Sequence, residues 1–329
     1  MRLGYKLMSE EHAPRALVEH AVLAERHGFD FAAISDHFAP WLDEQGHAPF
    51  AWSVLGAVAQ ATERIGLATA VTCPTGRYHP AIVAQAAATV SLLAGRRLQL
   101  GLGSGERLNE HVIGAGWPSV DERRERLAEA VEMIRLLFSG GRCSFRGRHF
   151  ALEDARLFDR PDEPPQILLA AGGPRAARLA AETGDGLVAT EPRRELVDAY
   201  RKAGGDGPCM AEVAMCWAES ADAARDTIHR YARWSRLGWS VLPELPSPAA
   251  FAAATKSVHA EDVAGEIAHG PDVARFVEVV RRYQDAGFDE LVLLQIGPEQ
   301  RGFLRFFERE LAPALRHGAA DAQPQRGAA

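Results

Sequence analysis

The chain has 329 residues and a formal net charge of −7. The acidic balance argues against a nucleic-acid partner, because proteins that bind nucleic acid present a basic face. No apolar run reaches the ~18 residues that a membrane span requires, so we expect no membrane segment. The length suits one α/β barrel, which commonly exceeds ~250 residues.

The cysteines form no Cys-x-x-Cys pair and no Cys/His spacing typical of zinc, so we predict no metal site. They are Cys73, Cys143, Cys209 and Cys216. We interpret them as the reduced thiols of a cytoplasmic protein. The first six residues show no charged-then-apolar signal pattern and lead directly into a predicted strand.

Short apolar runs alternate with longer amphipathic stretches, which is the βαβ pattern of a parallel sheet. Eight runs predict strands at residues 3–7, 31–35, 65–71, 98–102, 166–170, 186–189, 211–217 and 290–295. Apolar residues at i, i+3, i+4 and i+7 predict helices over 15–27, 81–93, 120–138, 175–182, 221–234, 271–286 and 301–315. Eight strands spread over the whole chain predict a closed (β/α)8 TIM barrel rather than an open sheet.

Two segments do not fit the regular alternation of strands and helices in a barrel. Residues 143–165 predict a small hairpin, with strands at 142–145 and 149–152 around Arg146-Gly147-Arg148. Residues 237–270 contain three prolines and no clear period, which predicts a long irregular insertion of the kind that forms lids and binding loops. We expect one domain over residues 1–316 and a disordered tail over 317–329, which is rich in Ala, Gly and Gln.

In a barrel of this type the chemistry lies at the carboxyl ends of the strands. Polar residues and glycine turns follow six of the predicted strands. They are Glu10, then Asp36, His37 and Trp41, then Cys73, then Ser104, Glu106 and Asn109, then Gly172 and Gly173, and finally Thr190 and Arg193.

Each of these residues also has a purely structural explanation. Asp36-His37 could begin a helix, Glu106 could complement a helix dipole, and Trp41 could be core. Glu10 could be a solvated loop charge, and the two glycines a tight turn without a ligand. Their convergence on one predicted face favours a site.

Three runs carry a family resemblance: ISDHFAPW at residues 34–41, QGHAPF at 45–50 and GLGSGERLNE at 101–110. They resemble the luciferase-like flavin/deazaflavin oxidoreductase superfamily. Within it, they look like the F420-dependent glucose-6-phosphate dehydrogenase family. The similarity covers residues 3–316, nearly the whole chain.

The resemblance implies a small-molecule substrate and hydride transfer to or from C5 of the deazaflavin coenzyme F420, with FMN a less favoured cofactor. It implies that His37 is a base, that Glu106 is an acid, that Trp41 packs against the reacting centre and that Glu10 orients the substrate. It also implies a homodimer and a cis peptide between Ala70 and Val71. The implied cofactor contacts are Asp36, Ala70, Val71, Cys73, Gly103, Ser104, Gly105, Asn109, Gly172 and Gly173.

The residues predicted to bind the far end of the substrate differ from those of the resembled family. The relatives hold the substrate phosphate with a threonine and three basic residues. Thr190 and Arg193 match the threonine and one basic position, whereas Leu242 and Glu266 stand at the other two. Because a glutamate would repel a phosphate dianion, we predict an alcohol or carbonyl substrate other than glucose 6-phosphate.

Three alternative functions stay open at this point. The first is an F420-dependent sugar-6-phosphate dehydrogenase. The second is an FMN-dependent monooxygenase on the same barrel, which the run from Asp36 to Trp41 disfavours. The third is a non-catalytic F420-binding protein, which His37 and Glu106 disfavour. The sequence specifies neither the physiological substrate nor the direction of the reaction.

Overall fold

The computed structural model describes residues 1–320. Among them are the strands β1 (Arg2–Leu7), β2 (Phe31–Ile34), β3 (Gly66–Thr69), β4 (Leu98–Leu102), β5 (Cys143–Arg146), β6 (Ala151–Ala155), β7 (Ile167–Ala170), β8 (Gly186–Ala189), β9 (Cys209–Cys216), β10 (Ala268–His269) and β11 (Glu290–Gln295). Eight of these form a parallel sheet in the order β9-β11-β1-β2-β3-β4-β7-β8. Pairing of β8 with β9 closes the sheet into the predicted barrel.

Helices alternate with the strands along the chain, and the longer ones cover the outside of the barrel. They are α1 (Pro14–Arg26), α2 (Ala51–Ala61), α3 (Pro80–Leu93), α4 (Arg107–Glu110), α5 (Val120–Phe138), α6 (Pro174–Thr183), α7 (Arg194–Lys202), α8 (Ala221–Ala232), α9 (Pro248–Ala254), α10 (Ala260–Ala264), α11 (Val273–Asp285), α12 (Gln300–Phe306) and α13 (Ala312–Ala320). The sequence prediction missed α2, which is apolar nearly all round, and the short helices α4, α7, α9 and α10. The predicted helix at 301–315 is interrupted by a π-helical turn at Phe307–Leu311.

The barrel has two apolar layers. Small and medium side chains from alternate strand positions fill its interior, among them Ala33, Ala68, Leu168, Val188 and Val292. A larger layer lies between the strands and the surrounding helices. A strand buried on both faces reads as a continuous apolar run, which is why all eight barrel strands were predictable.

The hairpin formed by β5 and β6 is present, with its second strand two residues later than predicted. The segment 237–270 is more regular than predicted, because it contains α9 and α10. Serine caps α9, since Ser247 accepts a hydrogen bond from the amide of Ala250 at 3.3 Å.

Helix α13 extends to Ala320, so the first part of the predicted disordered tail is helical. The rest of that prediction lies outside the described residues. None of the helices described is both long and apolar enough to cross a membrane.

Candidate active site

The predicted site residues gather at the carboxyl ends of the barrel strands. Glu10 follows β1, His37 follows β2 and Glu106 follows β4. All barrel strands point the same way, so loops that are far apart in the sequence meet at one rim.

His37 lies between two carboxyl groups. Its Nδ1 is 3.2 Å from Oε1 of Glu10, a contact without hydrogen-bond geometry, and its Nε2 is 3.5 Å from Oε2 of Glu106. The hydroxyl of Ser35 donates to Oε2 of Glu10 at 2.6 Å, and the amide of Asn109 donates to Glu106 at 3.3 Å. The His37 side chain is 12% exposed, so these charges interact at low local dielectric.

The surroundings give the three groups different proton affinities. Burial lowers the pKa of His37 despite the opposing charge of Glu10, so the imidazole is neutral near pH 7. Burial, reinforced by neighbouring carboxylates, raises the pKa of Glu106 to about 8. Burial acts in the same direction on Glu10, but its pKa is lowered overall by His37 when the imidazole is charged, by Lys6 and by the hydrogen bond from Ser35. A neutral base, a protonated acid and a carboxylate therefore lie side by side.

Trp41 packs against the catalytic histidine candidate. The ring centroids of His37 and Trp41 are 5.0 Å apart in an edge arrangement. Trp234 stacks on the other side of Trp41 at 4.4 Å, and Phe251 meets it edge-on at 5.1 Å. Trp41 is 5% exposed, so the side of the site next to His37 is lined by aromatic rings.

Asp36 is held by three neighbouring side chains. Its Oδ2 accepts from the Thr72 hydroxyl at 2.7 Å, and its Oδ1 accepts from Tyr78 at 3.0 Å and from Arg77 at 3.2 Å. The backbone amide of Arg77 also donates to Glu110 at 2.6 Å. One buried arginine thus cross-links the loops after β2, β3 and β4.

The Ala70–Val71 peptide is cis, as the resemblance implied. The carbonyl oxygen of Ala70 accepts a hydrogen bond from Nζ of Lys6 at 2.7 Å. Lys6 also forms an ion pair with Glu212 inside the barrel.

The loop after β4 packs tightly on the loop after β3. A Cβ atom on Gly103 would lie 2.7 Å from Cγ2 of Val71, and one on Gly105 would lie 2.7 Å from Sγ of Cys73. Gly105 also has φ +81°, which disfavours any side chain. Ser104 lies between the two glycines and is half-buried. Burial raises the pKa of Cys73 to about 12, so its thiol stays neutral.

The remaining cofactor candidates lie on the same rim. Oδ1 of Asn109 accepts from the backbone amides of Phe38 at 2.9 Å and Ala39 at 3.3 Å, which ties the loop after β4 to the loop that carries His37. Gly172 and Gly173 follow β7 and lead directly into α6.

The two substrate candidates already have protein partners. The hydroxyl of Thr190 accepts a hydrogen bond from Nε1 of Trp239 at 3.1 Å. The guanidinium of Arg193 is 2.8 Å from Glu195 and 3.7 Å from Glu191. Arg193 is therefore committed to carboxylates of its own loop and helix.

Two further positions, Leu242 and Glu266, were compared with basic residues that bind the phosphate in the resembled family. Neither of them supplies a cation. Leu242 is 5% exposed and packs with Trp41 and Phe251. Glu266 forms an ion pair with Arg236.

Sequence reasoning missed Lys6, Arg77, Tyr78, Glu110 and Trp239. Lys6 had a detectable signal, because a lysine inside an otherwise apolar strand must face a polar partner. Nothing in the sequence pattern pointed to the others, since their partners come from different loops.

The sequence model of the luciferase-like monooxygenase family matches residues 1–290. The chain belongs to this family. An F420-dependent glucose-6-phosphate dehydrogenase of Rhodococcus erythropolis (strain PR4 / NBRC 100887) is 40% identical over 337 residues, covering 96% of this chain and 98% of the relative. One from Mycobacterium tuberculosis (strain CDC 1551 / Oshkosh) is 39% identical over 333 residues, with the same coverage.

Solved structures agree with the sequence comparisons. An F420-dependent secondary alcohol dehydrogenase in complex with an F420-acetone adduct has a TM-score of 0.88 and 27% identity, covering 96% of this chain and 99% of that one. The F420-dependent tetrahydromethanopterin reductase of Methanopyrus kandleri, at 19% identity and a TM-score of 0.74, shares the fold. The predicted barrel, the family and the class of F420-dependent oxidoreductases are thereby confirmed.

Proposed function

We propose that this luciferase-like enzyme oxidises an alcohol, or reduces the matching carbonyl compound, and that its main substrate is not glucose 6-phosphate. The observation that carries the proposal is the position of His37 between Glu10 and Glu106 at the open end of the barrel. The names of the relatives support F420 as the cofactor.

The glycine loops fit a flat ring system. Gly103 and Gly105 let the loop after β4 approach Val71 and Cys73 closely, which leaves backbone rather than side chains on that wall. The amides at the start of α6 suit an anionic group. When bound, F420 supplies the carbon, C5, that accepts or donates a hydride. The residues proposed to hold it are Asp36, Ala70, Val71, Cys73, Gly103, Ser104, Gly105, Asn109, Gly172 and Gly173.

The chain's own residues handle the proton. Oxidation of an alcohol removes a hydride from the carbinol carbon and a proton from the hydroxyl, and it leaves a C=O bond. Neutral His37 accepts the proton at Nε2, and Glu10 beside Nδ1 stabilises the imidazolium. Glu106, protonated at neutral pH, would supply the proton that bound F420 needs when it gains a hydride, while His37 keeps the proton of the alcohol. Carbonyl reduction uses the same groups in the opposite direction.

The far end of the substrate site argues against a phosphate. Thr190 and Arg193 are the proposed substrate contacts there, yet the cation is paired with Glu195 and Glu191. Charge-assisted hydrogen bonds contribute about 1.5–3 kcal/mol each, so the loss of two cations removes roughly 3–6 kcal/mol of phosphate binding.

The test has two steps. Titration with F420, followed by the deazaflavin fluorescence, measures cofactor binding, and a parallel titration with FMN tests the monooxygenase alternative. Turnover is then measured with glucose 6-phosphate and with neutral alcohols. Turnover of glucose 6-phosphate with micromolar KM would favour the sugar-6-phosphate dehydrogenase alternative, which the relatives' names support. The substrate panel also includes single turnovers of reduced F420 with carbonyl compounds. If the protein binds F420 but turns over none of these substrates, a non-catalytic F420-binding protein is favoured.

We further propose a cytoplasmic homodimer formed through α2 and α3. Helix α3 exposes Ile82, Leu92 and Leu93 by 44–55% on its outer side, beside α2. Exposed apolar helix faces of this kind mark interfaces. Sedimentation of the wild type and of Ile82→Glu measures the association, and a monomeric wild type would contradict it.

A further inference from the structure

A short segment, residues 233–245, crosses the open end of the barrel, and we name it the mouth strap. Near its start, Trp234 stacks on Trp41 with the ring planes 11° apart. In its middle, Nε1 of Trp239 donates to the hydroxyl of Thr190 at 3.1 Å. The mouth strap therefore joins the side of the site that carries His37 to the side that carries Thr190.

Polar contacts hold both ends of the mouth strap. At one end, Arg233 donates to Glu44, in the loop after β2, at 2.8 Å. At the other end, Glu244 accepts from Arg123 at 3.1 Å and from Nε1 of Trp117 at 2.8 Å. Trp239 is thus presented by a segment that is anchored at both of its ends.

Trp239 offers an apolar surface at the substrate end. Its ring lies 3.8–3.9 Å from the position that a Cβ on Gly172 would occupy, and the residue is 37% exposed. Its only polar atom is already satisfied by Thr190, so its free surface can contribute dispersion and apolar burial only.

The nearby cations do not change this character. Arg193 is paired with Glu195, and Arg236, on the mouth strap itself, is paired with Glu266. A phosphate or carboxylate group beside Trp239 would compete with these carboxylates for the two guanidinium groups. An uncharged group would displace only water from the indole, which is favourable.

We propose that Trp239 is the residue that determines substrate specificity, and that it selects alcohols or carbonyl compounds carrying a bulky uncharged alkyl or aryl group. This inference depends on the oxidoreductase function proposed above, because it assigns the substrate class of the same site. Pockets that bind such groups are lined by aromatic side chains with few polar contacts.

The experiment uses the full chain with F420 and two probe alcohols, 1-phenylethanol and 2-propanol. The readout is the ratio of kcat/KM for the aryl alcohol to that for the small alcohol. We expect Trp239→Ala to lower this ratio about tenfold, because the aryl group loses its apolar partner. Trp239→Phe keeps a ring and should retain most of the preference. Phe158→Ala, on a surface residue that is 78% exposed, is the matched control and should leave the ratio unchanged.

The outcomes separate the two proposals. An unchanged ratio in Trp239→Ala, with F420 binding intact, overturns the specificity role of Trp239 and leaves the oxidoreductase function standing. If Trp239→Phe and Trp239→Ala lower the kcat/KM ratio equally, the effect comes from the indole N–H and not from the apolar ring. That result also overturns the proposed role of Trp239. A wild type that binds no F420, or that turns over only sugar phosphates, overturns the proposed function and the inference with it. The F420 dissociation constant and the thermal melting of each variant distinguish a misfolded protein from a change in specificity.

Discussion

Nε2 of His37 lies 3.5 Å from Oε2 of Glu106, while Nδ1 of the same ring lies 3.2 Å from Oε1 of Glu10. One imidazole thus connects carboxyl groups from the loops after β1 and β4. The two carboxyls differ in pKa because the charge of His37 and the Ser35 hydroxyl oppose the burial of Glu10, whereas neighbouring carboxylates reinforce the burial of Glu106. This difference makes the proposed proton chemistry testable.

Replacement of His37 should remove the base without removing the cofactor site. We expect His37→Asn to lower kcat by about 10²–10⁴, the usual contribution of a general base, while F420 still binds. Steady-state kinetics and F420 titration give the two readouts. His27→Asn, at the end of α1, is the control and should keep wild-type kcat. Wild-type kcat in His37→Asn would exclude a catalytic role for this residue.

The protonated state of Glu106 predicts a pH dependence. Its pKa is raised to about 8, so the carboxyl holds its proton below that pH and loses it above. We expect kcat for alcohol oxidation by the wild type to fall as the pH rises through about 8. Glu106→Gln should be slower than the wild type below pH 8 and should lack this alkaline decline. A decline at the same pH in Glu106→Gln would assign it to another group.

Arg77 should be essential for stability, because it neutralises Asp36 and Glu110 in a buried network. Arg77→Ala leaves two buried carboxylates without their cation, and we expect a loss of about 3–5 kcal/mol in the free energy of unfolding. Arg77→Lys keeps the charge but not the planar fork, so its loss should be intermediate.

Urea unfolding measures these losses, with Arg124→Ala as the control. Arg124 pairs with Asp121 on the surface of α5, so its removal should cost at most about 1 kcal/mol. Equal losses for Arg77→Ala and Arg124→Ala would show that the buried network contributes little.

A pair of histidines near α1 should make the fold sensitive to acid. The rings of His12 and His20 meet edge-on at 4.9 Å, and His12 Nε2 and His20 Nδ1 have no hydrogen-bond partner among the described residues. Burial lowers the pKa of His12 to about 3 and that of His20 to about 4. Both pKa values lie below the ~6.5 of an unfolded histidine. The stability that the two neutral histidines contribute is therefore complete above pH ~6.5 and is lost as the pH falls toward 4.

The free energy of unfolding should change by at most about 1.4 kcal/mol per pH unit for each of these histidines. His20→Gln should reduce the slope of unfolding free energy between pH 6.5 and 4, measured by urea unfolding. His79→Gln, at an exposed position, should keep the wild-type slope. The same slope in His20→Gln and in the wild type would contradict the assignment.

The sequence by itself determined the barrel, because each barrel strand is buried on both faces and therefore reads as an apolar run. It also determined the cofactor family, through the runs around Asp36 and Gly103. The loop positions of His37, Glu10 and Glu106 followed from the rule that parallel strands present their carboxyl ends at one rim. The missed helices had weaker signals, since α2 is apolar nearly all round and the others, α4, α7, α9 and α10, have nine residues or fewer.

Only the tertiary structure decided which charges meet. Arg77 reaches Asp36 and Glu110 across three loops, and Trp239 reaches Thr190 from an insertion whose sequence has no clear period. Such contacts depend on where separate loops are placed by the barrel, and local patterns carry no information about that placement. The proton affinities of His37 and Glu106 follow from the same cause, because burial and neighbouring charge exist only once the loops are assembled.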